Sequence, residues 1–302
     1  MSDRPAAWSA STRTPWLATP VEPATTPSCG TTNAWPFPPP TRAVQFDEKW
    51  SFVGKKEKHC DRADPADDER GDHWDHVACD PEHRWVVSVV PGRRSPDHVQ
   101  LLVEDFRRRT EGRIMNLMTS DESPPYATSI LATYGIEQPP ERREGPGRRP
   151  KPVKVPPPAL RYAAVHKTRR HGRVVKGETR VIFGTVAAVL AALALSLVSR
   201  VVNTVFIERQ NGADRHRNRR KVRKTYGFSK DRAAHEAMTY FAMYSYNFCW
   251  GVRTLAVKEG EGPRQKRTPA MAAGLTDPVW SLQEWLTFPG VKRAGLRPKR
   301  EG

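Results

Sequence analysis

Three acidic residues, Asp47, Asp121 and Glu208, occupy positions that could support phosphoryl transfer. Carboxylates that hold two divalent cations roughly 3.5–4 Å apart can activate a nucleophile and stabilise a leaving oxygen at phosphorus. Magnesium keeps several water ligands, so three well-placed acids are enough to bind it. Because the chain has 33 acidic residues, solvated surface carboxylates are the ordinary interpretation of any three of them. The elements that position the three acids therefore decide between the two interpretations.

The first acid is expected on a β-strand. Alternating apolar residues share one face of that strand and turn Asp47 to the opposite, polar face; they are Val44, Phe46, Trp50 and Phe52. The continuous apolar run at 85–90 (WVVSVV) predicts a strand that is buried on both sides and central in the sheet. Asp47 would then stand on a rigid element.

The second acid follows a predicted helix and strand. Ser95 and Pro96 favour a helix N-terminus, and apolar residues recur at helical spacing at Val99, Leu102, Val103 and Phe106. The strand expected at 114–119 delivers Asp121 just past its carboxyl end. This strand–helix–strand order places Asp47 and Asp121 beside each other.

The third acid is expected near the end of a long apolar helix. Paired strands at 160–166 and 173–183 precede this helix, which leads to Glu208. The uncharged run 181–198 has the minimum length of a transmembrane candidate. Gly184 and several alanines make the run only mildly apolar, which favours a helix within the fold. A protein anchored in a membrane through 181–198 remains an alternative.

The acids lie in three sequence blocks, FDEKWSFVGKK (46–56), LMTSDESPPY (117–126) and FIERQNGADRHRNRRKVRKTYGFSK (206–230). In content and order these blocks resemble the acid-bearing blocks of DDE transposases of the bacterial insertion-sequence-one type. The resemblance implies an α/β, RNase H-like (retroviral integrase-like) mixed sheet with flanking helices. It also implies Asp47, Asp121 and Glu208 as catalytic ligands of two Mg²⁺ ions, with Mn²⁺ as a substitute. The implied reaction is DNA nicking followed by strand transfer.

Basic residues predict a polyanionic partner. Lysine plus arginine outnumber the acids 50 to 33, which gives a net charge of +17. The densest basic stretch follows the third acid and contains Arg209, Arg215, Arg217, Arg219, Arg220, Lys221, Arg223 and Lys224. Lys167 and Arg169 extend the predicted phosphate contacts, although a solvated basic face is the alternative. The resemblance implies double-stranded DNA (element ends and target) as the partner and a homo-oligomer assembled on it.

The chain divides into three predicted parts. Residues 1–42 form a Pro/Ser/Thr-rich disordered segment, 43–250 the catalytic domain with a Pro/Arg-rich loop at 137–158, and 251–302 a basic, largely irregular tail. Members of the resembled family carry a zinc-ribbon and helix-turn-helix region before the first acid, and no such pattern precedes Asp47. We therefore expect a truncated copy, with a catalytically inert DNA-binding remnant as the alternative.

The remaining sequence patterns concern the cellular location, a weak zinc-binding spacing and two aromatic residues near the acids. Four cysteines without a C-x-x-C pair, and no signal segment, predict a cytoplasmic protein, and the resemblance implies a place on the bacterial nucleoid. The spacing of His73, His76, Cys79 and His83 could bind zinc, but intervening aspartates and the lack of a matching pair disfavour it. Trp50 and Tyr126 lie near the acids and could stack on a displaced base, although core packing is favoured.

Overall fold

The computed structural model of this protein describes residues 41–288 except 62, 140–150, 223 and 259. Nearly all of the predicted disordered segment 1–42, residues 140–150 of the Pro/Arg-rich loop and the predicted DNA contact Arg223 lie outside the described residues.

The described residues form ten strands and seven helices. The strands are β1 (Ala43–Val53), β2 (Gly71–Asp80), β3 (Trp85–Gly92), β4 (Leu117–Asp121), β5 (Ile136–Gln138), β6 (Val153–Val155), β7 (Tyr162–Arg170), β8 (Arg173–Phe183), β9 (Val252–Val257) and β10 (Gln265–Arg267). The helices are α1 (Pro96–Arg109), α2 (Pro124–Tyr134), α3 (Val186–Ala194), α4 (Val205–Arg217), α5 (Arg232–Cys249), α6 (Pro269–Ala272) and α7 (Leu282–Thr287).

Six strands form one mixed sheet in the order β3-β2-β1-β4-β7-β8. Strand β1 pairs antiparallel with β2 and parallel with β4, and β4 pairs parallel with β7. Parallel strands end at the same edge of a sheet, so residues after β4 and along β7 can meet. The fold is mixed α/β with a mixed sheet and flanking helices, and the predicted paired strands β7 and β8 are confirmed as an antiparallel hairpin.

The predicted helix α1 begins where its capping residues indicated. The Ser95 hydroxyl accepts a hydrogen bond from the His98 amide at 3.4 Å. The apolar face of α1 packs on the sheet, where the Phe106 and Phe46 rings make an edge-to-face contact at 5.5 Å. Tyr126 also stacks on Phe46, at 5.6 Å, and is buried, which confirms the core interpretation of that residue.

Strand β3 lies at an edge of the sheet, so the prediction of a central position is wrong. Its apolar run has a different cause, because helices cover both faces. Trp85 belongs to the core beneath α1, whereas Val86 packs with Met243 of α5. The Asn247 amide bonds the main-chain nitrogen and oxygen of Val86, both at 3.0 Å, where a further strand would pair. A continuous apolar run therefore reports covered faces and not the number of neighbouring strands.

The predicted long apolar helix before the third acid is interrupted, which corrects the expected position of Glu208. Residues 181–183 end β8, α3 covers only Val186–Ala194, and residues 195–204 are irregular. The Ser196 hydroxyl accepts from the amides of Val198 and Ser199 and competes with helical hydrogen bonding. Glu208 consequently lies in the first turn of α4. Among the described helices, none has the length and apolar character needed to span a membrane.

The segment after residue 250 is more ordered than the predicted irregular tail. It contains β9, β10, α6 and α7, and Ala270 and Leu275 belong to the main core. Trp280 packs on Phe248 of α5 at 5.0 Å. The predicted loop 137–158 likewise contributes to the short antiparallel pair β5 and β6. Part of the segment predicted as a basic, largely irregular tail therefore packs against the main core.

Candidate active site

The first two acids lie side by side on neighbouring strands. The parallel register pairs Phe46 of β1 with Ser120 of β4, so the next residues, Asp47 and Asp121, are adjacent. Asp121 is the last residue of β4, at the carboxyl end of that strand. The predicted convergence of these two residues is therefore present in the fold.

Helix α4 brings the third acid close to Asp47 and Asp121, because Gln45 of β1 is hydrogen-bonded to the start of this helix. The Gln45 side-chain oxygen accepts from the Ile207 amide at 3.0 Å, and its nitrogen donates to the Asn203 carbonyl at 2.7 Å. Amides of a first helical turn have no partner within the helix, so Gln45 supplies one. One turn further along, Asn211 donates to Asp47 Oδ2 at 2.8 Å.

Two polar groups join Asp121 to Glu208. The Thr204 hydroxyl lies 3.0 Å from Asp121 Oδ1 and 2.9 Å from Glu208 Oε1. The Lys167 ammonium contacts both Asp121 oxygens at 2.9 and 3.0 Å, and it also bonds Glu208. All three predicted catalytic acids are thus brought to one site.

The site is rich in negative charge, and Asp47 is the acid whose pKa is most affected by burial. Burial, and next the nearby charge of Asp121, raise the pKa of Asp47 to about 7. Burial acts against the charged form of Lys167, but its hydrogen bonds to Asp121 and Glu208 outweigh this and raise its pKa. The Lys167 ammonium thus supplies positive charge that the carboxylates share.

The donor set fits a hard divalent cation. Carboxylate oxygens from three elements meet, and a bound cation would offset both causes of the raised pKa of Asp47, first its burial and then the nearby charge of Asp121. Asp121 and Glu208 could bind such a cation only after Lys167 leaves them, since its ammonium occupies their facing oxygens. Sequence reasoning had assigned Lys167 to DNA and did not identify Thr204, Asn211 or Gln45; the last two had no local signal beyond their type.

The predicted DNA-contact residues are not on one uniform surface. Arg209, Arg219, Lys224 and Arg169 are exposed, and Arg215 and Arg220 are partly buried. The Arg217 guanidinium lies over the Tyr246 ring at 4.1 Å. Lys221 is fully buried, so its assignment to DNA phosphates is wrong. The remaining exposed members stay predictions.

Lys221 instead belongs to a buried charge network beneath the site, formed by Lys49, Asp75, Asp214 and Lys221, whose side chains are 0% exposed. Lys49 lies 3.1 Å from Asp75 Oδ2 and also pairs with Asp214, while Lys221 pairs with Asp75. Two lysines and two aspartates balance in charge. Because Asp214 lies on α4 and Lys49 on β1, the network ties the helix that carries Glu208 to the strand that carries Asp47.

A second group could also hold a metal ion. Ligand atoms of the buried residues His73, Asp75 and His235 lie within 4.8 Å of one another, and the sequence had disfavoured a metal near His73. Asp75 already pairs with two lysines, however, and both ring nitrogens of His235 contact serine hydroxyls, at 3.1 and 2.8 Å. Burial lowers the pKa of His235 to about 3. The lysines thus already supply the positive charge that a metal would bring.

No protein-family model matches this chain, and no curated protein sequence matches it significantly. A functional assignment therefore rests on the geometry of the three acids and on the sequence blocks that contain them.

Proposed function

We propose that this protein is a DNA-nicking and strand-transferring enzyme in which Asp47, Asp121 and Glu208 hold two Mg²⁺ ions, or Mn²⁺ in their place. The convergence of these three acids from β1, β4 and α4 carries the proposal. The strand order is compatible with the RNase H-like fold that the sequence resemblance implies. DNA at element ends and targets, a homo-oligomer on that DNA and a place on the bacterial nucleoid follow from the same resemblance.

Residues around the acids would hold them ready for this chemistry. Divalent cations bound there would stabilise the charge that develops at phosphorus. Asn211 orients Asp47, and Thr204 fixes the spacing between Asp121 and Glu208. Lys167, once displaced from the carboxylates, is well placed to pair with a DNA phosphate beside them. None of these steps requires a covalent nucleophile on the protein.

The test is nicking of supercoiled plasmid by the full chain in Mg²⁺, with EDTA as the metal-free control. Asp121→Asn keeps the size of the side chain but removes its charge, and we expect nicking to fall by about 100-fold or more. Glu122→Gln is the matched control, because the Glu122 carboxylate faces His166 and Arg180. Correctly folded wild-type protein that nicks in neither Mg²⁺ nor Mn²⁺ would refute the proposal.

One observation favours a second candidate, a catalytically inert DNA-binding protein. The Lys167 ammonium already neutralises part of the charge of Asp121 and Glu208, so the acids have a partner without a metal. This candidate predicts DNA binding that is the same in Mg²⁺ and in EDTA, with no nicking in either. Metal-dependent nicking would exclude it.

Replacing Lys167 with Met should strengthen divalent-cation binding by about tenfold, because a cation would no longer compete with an ammonium for Asp121 and Glu208. Isothermal titration with Mn²⁺, in the absence of DNA, measures this directly. Lys176→Met on the same hairpin is the control, since Lys176 pairs with Glu178 outside the site. Unchanged or weaker binding in Lys167→Met would show that a cation does not compete with the Lys167 ammonium for these carboxylates.

A further inference from the structure

The β7–β8 hairpin extends past the rest of the sheet. Strand β4 pairs with β7 only as far as Asp121 and Val165, whereas β7 and β8 pair with each other out to Arg170 and Arg173. The two loop residues, His171 and Gly172, both have positive φ (48° and 76°), as a tight two-residue hairpin turn requires. The outer hairpin is therefore a well-defined two-stranded arm.

This arm is strongly basic and exposed. Between residues 168 and 180 it carries five fixed positive charges, at Arg169, Arg170, Arg173, Lys176 and Arg180, all of them exposed. Arg180 lies at the base of the arm, opposite Ala164, and pairs with Glu122, so the four others are the charges of the protruding part. Glu178 is the one acidic residue in this range, and it pairs with Lys176. Val174 and Val175 are 51% and 56% exposed near the tip. Such a surface attracts a polyanion.

The base of the arm is the candidate active site. Lys167 of β7 contacts Asp121 and Glu208, and the outer hairpin continues directly from it. At roughly 3.3 Å per residue, the four or five outer residue pairs reach about 15 Å. The major groove of B-DNA, about 12 Å wide, admits a two-stranded β-ribbon.

We propose that residues 168–180 form a docking arm that lies along duplex DNA and neutralises phosphates next to the site of cleavage. The choice of duplex DNA rests on the proposed function; the charge, exposure and position of the arm come from the fold itself. Contacts of this kind position a duplex and strengthen binding without reading its sequence. The arm would thereby align the DNA with the three acids.

The experiment measures binding of a fluorescent 30-base-pair duplex to the full chain in EDTA, by anisotropy over a series of salt concentrations. The variant replaces Arg169, Arg170 and Arg173 with Gln. We expect its affinity at low salt to fall at least tenfold, and the slope of log K against log salt to decrease by about 2–3, near 0.9 per lost phosphate contact. All three side chains are exposed, so the melting temperature should not change.

A matched variant removes the same charge elsewhere, with Gln at Arg253, Lys258 and Arg264, which are also exposed and are not among the predicted DNA contacts. An equal loss of affinity in both variants would show a general effect of net charge and would overturn the proposed docking role of the arm. A greater effect of the hairpin variant on anionic phosphatidylserine vesicles than on DNA would also overturn it.

The two proposals can fail separately. A wild-type protein that binds DNA through the hairpin in EDTA but never nicks would refute only the enzymatic proposal. If the wild-type protein nicks DNA and the hairpin variant still binds DNA with normal affinity, only the proposed docking role of the arm is refuted.

Discussion

Replacing Lys49 with Met should lower the free energy of unfolding by about 3–5 kcal/mol, because breaking a buried ion pair leaves a charge without a partner. Lys49 contacts Asp75 and Asp214, and none of the three side chains is exposed. With Lys49 gone, Lys221 alone would face two buried carboxylates. The loss would act directly on α4, since Asp214 lies on that helix. Urea unfolding followed by circular dichroism measures the change.

The double variant Lys49→Met with Asp214→Asn separates charge from packing. It keeps one lysine and one aspartate, so the buried network stays balanced. We expect it to recover more than half of the lost stability, which a double-mutant cycle with the two single variants would quantify. Strictly additive losses would mean that Lys49 and Asp214 do not stabilise each other.

Asp47→Asn should stabilise the metal-free protein by about 2–4 kcal/mol at pH 8, because the wild type carries a charge that its surroundings disfavour. Burial and the Asp121 charge raise the folded-state pKa of Asp47 from 3.8 to about 7. Between those values the folded state holds a proton that the unfolded state has lost. Wild-type stability therefore falls as pH rises from about 4 to 7, whereas the Asn variant lacks this penalty.

Thermal unfolding in EDTA at pH 4, 6 and 8 tests this dependence. The advantage of Asp47→Asn should be near zero at pH 4, grow through pH 6 and level off by pH 8. Adding Mg²⁺ at pH 8 should stabilise the wild type more than the variant and narrow the gap. The exposed Asp277→Asn is the control and should show no such trend. An advantage independent of pH would mean that burial and the Asp121 charge do not raise the pKa of Asp47 in the folded protein.

The hydrophobic pattern of the sequence was enough to predict the strands and helices whose buried residues recur at a regular interval. Alternation along β1 and the capping residues of α1 predicted that strand and that helix, and the hydrophobic pattern also predicted the paired strands β7 and β8. The positions of Asp47 and Asp121 could be predicted because strand–helix–strand order constrains neighbouring parallel strands. Glu208 was found by the sequence block that contains it, but its helical context was not.

Only the tertiary structure decided which charged residues are buried. Lys221 lies in a basic stretch whose composition predicts an exposed surface, yet it is buried against Asp75, which is 146 residues away in the sequence. Lys49 likewise pairs with Asp214, which is 165 residues away. Lys167 likewise meets acids 46 and 41 residues distant. A charged side chain enters a protein interior only where an opposite charge compensates its lost hydration, and a local sequence window does not contain that partner. Residue types and periodicity therefore predicted the strands, and the resembling sequence blocks pointed to the three acids, whereas the packing of distant segments decided which lysines face buried or clustered carboxylates.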